Sequence, residues 1–339
     1  MGAQKNDRPL VTFALFAYNQ EQYIREAVQG AFSQTYSPLE IILSDDHSAD
    51  RTFDIILEMA ADYGGPHQVR VRRNEENLGI AGHVNMVMAQ AAGELVVMAA
   101  GDDVSIPSRT ERLLSLWLKE ERKPDGLFSG YTAVSAGRCK TVKPTGNYSI
   151  DYCFHHTALN LLGATAAWTR RLWETWGPLP ADSLCEDRNL SFRALLGGGL
   201  AYTPEAMVRY RSSAKPALSG DAQWLTRTLW RWKRELHFYD DYAKDLHAAG
   251  KMEKQAVDTD KLLNLLSQRK ALLACDCQLL AGGRKDILRY CLRLLFNKAW
   301  LDASVRSRVY IVLILVRWCV LRTKNAPTLD TRNHRALRG

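Results

Sequence analysis

The chain opens with unbroken apolar runs that alternate with stretches of helical period. Leu10 to Ala17 is almost wholly apolar and is bounded by Pro9 and Asn19. A run of that length fits a strand buried on both faces of a parallel sheet. Glu21 to Gln34 then carries apolar or small residues at Ile24, Ala27, Val28, Ala31 and Phe32, a helical spacing. The alternation recurs. Leu39 to Ser44 predicts a second strand ending in Asp45-Asp46, and Asp50 is placed to cap a helix carrying Phe53, Ile56, Leu57 and Ala60. Gln68 to Arg72 predicts a short third strand, Ala81 to Gln90 a helix, and Leu95 to Ala99 a fourth strand ending near Asp102-Asp103. Pro107 opens a further helix through Leu113, Leu114 and Trp117, and Gly126 to Ser135 predicts a fifth strand.

Strands and helices alternating at this spacing predict an α/β domain on a mostly parallel, doubly wound sheet flanked by helices. Ligands in such sheets bind beyond the carboxyl ends of the strands. Tyr18, Asp45-Asp46 and Asp102-Asp103 each fall just past a strand end, so three polar clusters are expected on one rim. From about Asp221 the strand signals stop. Trp224 to Leu246, Met252 to Leu280, Asp286 to Phe296 and Ala303 to Leu321 read as helices. The predicted organisation is one domain over residues 1–220 and a helical region with a basic tail over 221–339.

Charge changes this picture at one end. From Arg284 onward there are 13 basic and 3 acidic side chains, a balance of +10, while the whole chain carries +8. The body is thus near neutral. A basic tail suits an anionic surface such as lipid head groups or nucleic acid, and a plain solubilising role is the simpler reading. The seven cysteines lack regular spacing, and Cys275 and Cys277 are too close together to build a metal site alone. Reduced thiols of a cytosolic protein are the expectation. Met1 to Leu10 is polar, without the apolar core of a signal peptide, and no run of 18 apolar residues predicts a membrane span.

Several motifs follow one another in a recognisable order. They are Ala17-Tyr18-Asn19-Gln20-Glu21-Gln22-Tyr23-Ile24, Ser33-Gln34-Thr35-Tyr36, and Glu40 to Asp50 with its Asp45-Asp46 pair. Asn77-Leu78-Gly79, Asn85, Ala92-Gly93-Glu94, Gly101-Asp102-Asp103 with Pro107, Glu186-Asp187, and Tyr210-Arg211 complete the series. Together, over roughly residues 9 to 215, they resemble the large inverting glycosyltransferase family 2, which has the GT-A fold.

The resemblance implies a hexosyltransferase-type enzyme with a nucleotide-sugar donor, commonly UDP-linked, and a glycan or lipid-linked acceptor in bacterial surface polysaccharide or glycolipid assembly. A nucleoside diphosphate leaves with two charges, which a hard divalent cation, Mn2+ or Mg2+, offsets through carboxylate ligands. By resemblance Asp102 is the direct ligand, Asp103 assists, Asp46 contacts the base, and Ala17 and Tyr18 border it with the tyrosine stacking near. Arg73 and Asn77 are candidates to reach the diphosphate or ribose. Asp187 matches the family's general base, and the helix it opens is expected to keep its carboxylate ionised through N-terminal amides.

Three positions depart from the family pattern. Ala100 replaces the first acid of the metal motif, Ser213 stands where a histidine is common, and Phe16 replaces a small or hydroxyl residue. Trp168, Trp173 and Trp176 are sugar-stacking candidates with core packing as the default. His155-His156 reads as loop or acceptor-site histidines, and Gly197-Gly198-Gly199 as a turn after a helix. A sugar nucleotidyltransferase would show a Gly-rich basic loop after strand one, where Ala17-Tyr18-Asn19-Gln20 stands, and a Rossmann dehydrogenase would show Gly-X-Gly-X-X-Gly there. A non-catalytic nucleotide- or membrane-binding protein is the remaining alternative. A nucleic-acid partner is not expected. The apolar stretch within Ala303 to Leu321, flanked by Arg306, Arg308, Arg317 and Arg322, suits either a core helix or an anionic membrane interface. The expected location is cytoplasmic, peripheral at the inner face of the plasma membrane.

Overall fold

A computed structural model describes residues 8–135, 137–144, 148–150, 153, 161–211, 221–252 and 257–281. Nine strands form one sheet: β1 (Val11–Ala17), β2 (Leu39–Asp45), β3 (Gln68–Arg73), β4 (Leu95–Ala100), β5 (Val104–Ser105), β6 (Gly126–Ser135), β7 (Arg138–Val142), β8 (Ala166–Thr169) and β9 (Leu200–Arg211). The helices are α1 (Ile24–Phe32), α2 (Thr52–Ala61), α3 (Gly79–Gln90), α4 (Arg109–Lys119), α5 (Arg170–Trp176), α6 (Glu186–Leu196), α7 (Asp221–Ala249) and α8 (Thr259–Ala281). The chain divides into two compact units, Met1–Lys215 with His237–Ser267, and Pro216–Leu236 with Gln268–Gly339; the sheet lies in the first.

The strand order is β3-β2-β1-β4-β8-β6-β9-β5, with β7 paired to β6. The first four strands are parallel, as the apolar runs of β1, β2 and β4 and their alternation with helices predict. Beyond β4 the sheet becomes mixed, because β8 runs antiparallel to both β4 and β6. Alternate residues of β1, Val11, Phe13, Leu15 and Ala17, join one core cluster with Ile24 and Val28 of α1, Ile56 of α2, and Leu113 and Trp117 of α4. Each Val, Leu, Ile or Phe side chain among them contributes about 1.5–3 kcal/mol on full burial. On the opposite face the Phe16 ring of β1 meets the His83 ring of α3 edge to face.

Two of the sequence motifs turn out to brace this frame. Gln34, after α1, donates to the carbonyls of Gly30 and Ile106 and accepts from the N–H and hydroxyl of Thr110, which ties α1 to the start of α4. Gly93 lets the turn before β4 press on β1: a Cβ there would lie 2.4 Å from the Thr12 nitrogen. The Thr12 hydroxyl accepts from Gly93 N–H and donates to buried Glu40.

Some expectations shift. Asp50 does not cap α2 as its N-terminal residue; that position is Arg51. Asp50 instead accepts from Thr52 through Oδ1 and from the Glu21 N–H through Oδ2, joining the β2–α2 loop to the β1–α1 loop. Trp168 is fully buried in β8, so it is a core residue and not a sugar-stacking one. Trp173 and Trp176 are half-buried on α5. The glycine run is a turn, with Gly198 N–H donating to Asp125 and Gly199 at φ +87°. The second unit contributes helical residues, and among the described residues no helix is long and apolar enough to cross a membrane. The expected helices over Asp286 to Phe296 and Ala303 to Leu321, together with His155, His156 and Ser213, lie outside the described residues.

Candidate active site

Parallel register aligns the predicted clusters. Ala17 pairs with Asp45, Asp45 pairs with Arg73, and Phe16 pairs with Ala100, so β1 to β4 end on one rung. The loops leaving that rung carry Tyr18, Asp46, Asn77 and Asp102-Asp103.

Asp46 is buried at the centre of a polar network. Its N–H donates to the Ala17 carbonyl at 2.9 Å, and its Oδ1 accepts from Asn74 Nδ2 and from the Leu78 N–H. Arg72 donates to Asn74 Oδ1 and to Ser44 Oγ, and Ser44 Oγ also meets His83 Nε2 at 2.6 Å. Burial holds His83 down at about 4, so its ring is neutral at physiological pH. Neither Asn74, Arg72 nor His83 was singled out from the sequence; Asn74, three residues before the Asn77-Leu78-Gly79 motif, offers at most a positional hint.

The neighbouring candidates divide into exposed and committed groups. Tyr18 is 45% exposed on the rim, available for stacking. Arg73 bonds the Ser48 carbonyl at 2.6 Å, pairs with fully buried Asp45 at 3.3 Å and lies over the Phe53 ring. Asn77 is exposed and accepts the Gly79 N–H, where the chain passes through φ +68° to enter α3. Both residues thus have structural work at positions where ligand contact was expected.

The metal-motif acids sit beside Arg211 at the end of β9. Arg211 N–H donates to Asp103 Oδ1 at 2.8 Å, and its guanidinium donates to the Asp102 carbonyl and pairs with Glu26. Asp103 is 4% exposed, and its Oδ2 is buried with no hydrogen-bond partner. Burial pushes Asp103 up to about 7 and also raises Asp102. An orphaned, desolvated carboxylate oxygen next to a second carboxylate is a donor set that fits a hard divalent cation.

Asp187 lies at the start of α6. Its Oδ2 accepts from the Gly163 N–H at 3.1 Å and its Oδ1 from the Cys185 thiol at 2.8 Å. The helix amides were expected to keep it ionised, but burial outweighs them and raises its pKa. Glu186 is likewise raised, to about 8, by burial and by the charge of Asp187. The charges of Asp103, Asp102 and Asp187 all act on the Tyr210 hydroxyl, whose pKa is raised first by burial. The sequence motifs at residues 102–103, 186–187 and 210–211 therefore meet in space. Ala100, two residues before the metal motif, and Glu186 border a cavity of about 50 Å³ together with Phe16, Val84 and Gly163.

Asp182, His237 and Asp241 form another cluster, with ligand atoms within 4.8 Å of one another. Asp241 is already occupied: Lys244 donates to its Oδ1, and Ser183 and Asn189 donate to its Oδ2. With the buried Arg193–Asp245 pair and the Phe192–Tyr242 stack, these contacts pack part of α7 on α6.

Residues 12–126 match the family described as Glycosyl transferase family 2. An uncharacterized protein of Mycobacterium tuberculosis is 29% identical over 201 residues, which cover 58% of this chain and 57% of that protein. The match thus spans just over half the length of that curated relative. In structure the chain is similar to S. aureus TarS 1–349 in complex with UDP-GlcNAc, at 14% identity and a TM-score of 0.57, covering 94% of each chain. It is also similar to the mannosyltransferase PcManGT from Pyrobaculum calidifontis in complex with GDP-Man and Mn2+, at 17% identity and a TM-score of 0.52, covering 94% of this chain and 89% of that one. At those identities the likeness is one of fold, and it is the GT-A fold expected from the motifs. Residues 12–126 thus match glycosyltransferase family 2, and the chain that carries them has the GT-A fold.

Proposed function

We propose that the protein is an inverting, divalent-cation-dependent transferase that moves a sugar from a UDP-linked donor to a hydroxyl of a glycan or lipid-linked acceptor, in bacterial surface polysaccharide or glycolipid assembly. The observation that carries this reading is the meeting of Asp46, Asp102-Asp103 and Asp187 on one rim, with Asp103 Oδ2 unpartnered. The UDP-GlcNAc of TarS and the GDP-Man and Mn2+ of PcManGT support a nucleotide-sugar donor and a cation.

In this reading the exposed ring of Tyr18 stacks on the base. Asp46, held by Asn74 and Leu78 through Oδ1, presents Oδ2 to a base N–H. Asp102 and Asp103 hold the cation, which when bound offsets the charge gathered on the leaving diphosphate. Asp187 takes the acceptor proton. Gly163 N–H and the Cys185 thiol fix its two oxygens, and a burial-raised pKa suits a general base working near neutrality. Residues 1–220 carry this chemistry, and the helical region from 221, with its basic tail, brings the enzyme to anionic lipid.

Titration with UDP, with and without Mn2+, tests the donor site: binding should require the metal, and a non-catalytic membrane-binding protein predicts none. A screen of nucleotide sugars should then show metal-dependent hydrolysis, and full turnover in excess EDTA would overturn the cation's role. Co-sedimentation with phosphatidylglycerol vesicles at low salt tests the membrane reading. A protein that stays in the supernatant refutes it.

A further inference from the structure

The cavity at the rim has a composition that bears on which sugar is transferred. It is bordered on one side by Ala100, two residues before Asp102, and on the other by Gly163 and Glu186, which contact or adjoin Asp187. It therefore adjoins, through Ala100, the strand end leading to the acids assigned to the diphosphate and, through Gly163 and Glu186, the acid assigned to the acceptor, so a donor sugar held by those acids lies next to it. Its walls are Phe16, Ile80, Val84, Met98 and Ala100, and Glu186 supplies the one ionisable side chain. A volume of about 50 Å³ holds a single substituent, not a pyranose ring.

We infer that this cavity receives the N-acetyl group of the donor sugar, so that the transferred residue is an acetamido sugar. The inference rests on the donor-site reading proposed above. A hydroxyl directed into these walls would lose its water and gain no partner beyond Glu186, which disfavours a plain hexose. An acetamido group matches the lining: its methyl meets the apolar walls and its amide meets the carboxyl. Glu186 is held over Gly163, where a Cβ would lie 2.2 Å from Glu186 Oε1, so the carboxyl reaches the cavity edge because residue 163 has no side chain. With its pKa pushed up to about 8 by burial and by Asp187, Glu186 keeps its proton at neutral pH and can donate to the amide oxygen. Ala100 contributes as well, since an acid at that position would place a charge in the cavity wall.

The test is calorimetric titration of the full chain in Mn2+ with UDP, then with the pairs UDP-GlcNAc and UDP-Glc, and UDP-GalNAc and UDP-Gal. The acetamido member of at least one pair should bind on the order of 10- to 100-fold more tightly than its hydroxyl counterpart, the range expected for a fitted pocket. Ala100→Val, which fills the space, and Val84→Thr, which adds a hydroxyl, should each bring that ratio close to one while UDP affinity stays unchanged. Unchanged UDP affinity also shows that both variants are folded. If UDP binds but neither pair is discriminated, or hydroxyl sugars are preferred, the inference is overturned and the donor site stands. If UDP itself shows no metal-dependent binding, the donor-site reading falls and this inference falls with it.

Discussion

Asp103 allows a prediction that separates stability from chemistry. Its carboxylate is 4% exposed, holds one hydrogen bond from Arg211 N–H, and leaves Oδ2 without a partner. Burial, helped by the charge of Asp102, pushes its pKa from 3.8 up to about 7. In the unfolded chain the group has already lost its proton at pH 5, whereas the folded protein still holds it. The folded pKa is the higher one, so the stability linked to Asp103 is full below the unfolded value of 3.8 and is lost as pH rises through about 7. At about 1.36 kcal/mol per pKa unit, the whole span is on the order of 4 kcal/mol, and the part between pH 5 and 8 is about 3 kcal/mol. Asp103→Asn removes this titration. In EDTA, the Tm of the variant relative to wild type should therefore rise by roughly 5–10 °C between pH 5 and pH 8. Thermal unfolding followed by circular dichroism at the two pH values measures it. Added Mn2+ should stabilise wild type at pH 8 more than it stabilises the variant. If the Tm difference between variant and wild type is the same at both pH values, burial of Asp103 does not carry the effect and the reasoning fails.

Other perturbations probe the remaining groups. Asp187→Asn should lower transfer by about 10²–10⁴-fold with nucleotide affinity nearly unchanged; a loss below tenfold at saturating acceptor would assign the base elsewhere. Asp46→Ala should weaken nucleoside diphosphate binding by about 1–3 kcal/mol, and calorimetry showing equal affinity would return Asp46 to a purely structural role. Gly163→Ala should force the Glu186 carboxyl away and reduce transfer while far-UV circular dichroism stays native, so wild-type activity in that variant would contradict the close packing at this position.

Strands β1, β2 and β4 and the helices between them were legible because burial on both faces demands long apolar runs, and these three are such runs, whereas β3 at the sheet edge is short and only partly buried. The rim was legible for a related reason. Parallel strands joined by helices all end on the same side, so Tyr18, Asp46 and Asp102-Asp103 had to converge once the strands were recognised. The mixed half of the sheet was not legible. β5 has two residues and β8 four, too few for a period to register, and the antiparallel course of β8 depends on partners distant in the chain. The support of Asp46 by Asn74, Arg72, Ser44 and His83 was hidden for the same reason: side-chain partners chosen across three elements leave no local pattern. Asp187 was picked out by motif, and the helix amides near it can be read from sequence, whereas the surrounding desolvation that raises its pKa cannot. What the sequence determined by itself is the set of acids and the strand ends that carry them. Tertiary structure alone decided which of those acids are buried, which oxygens remain unpaired, and how far their proton affinities rise, because desolvation is a property of the assembled neighbours and not of the residue.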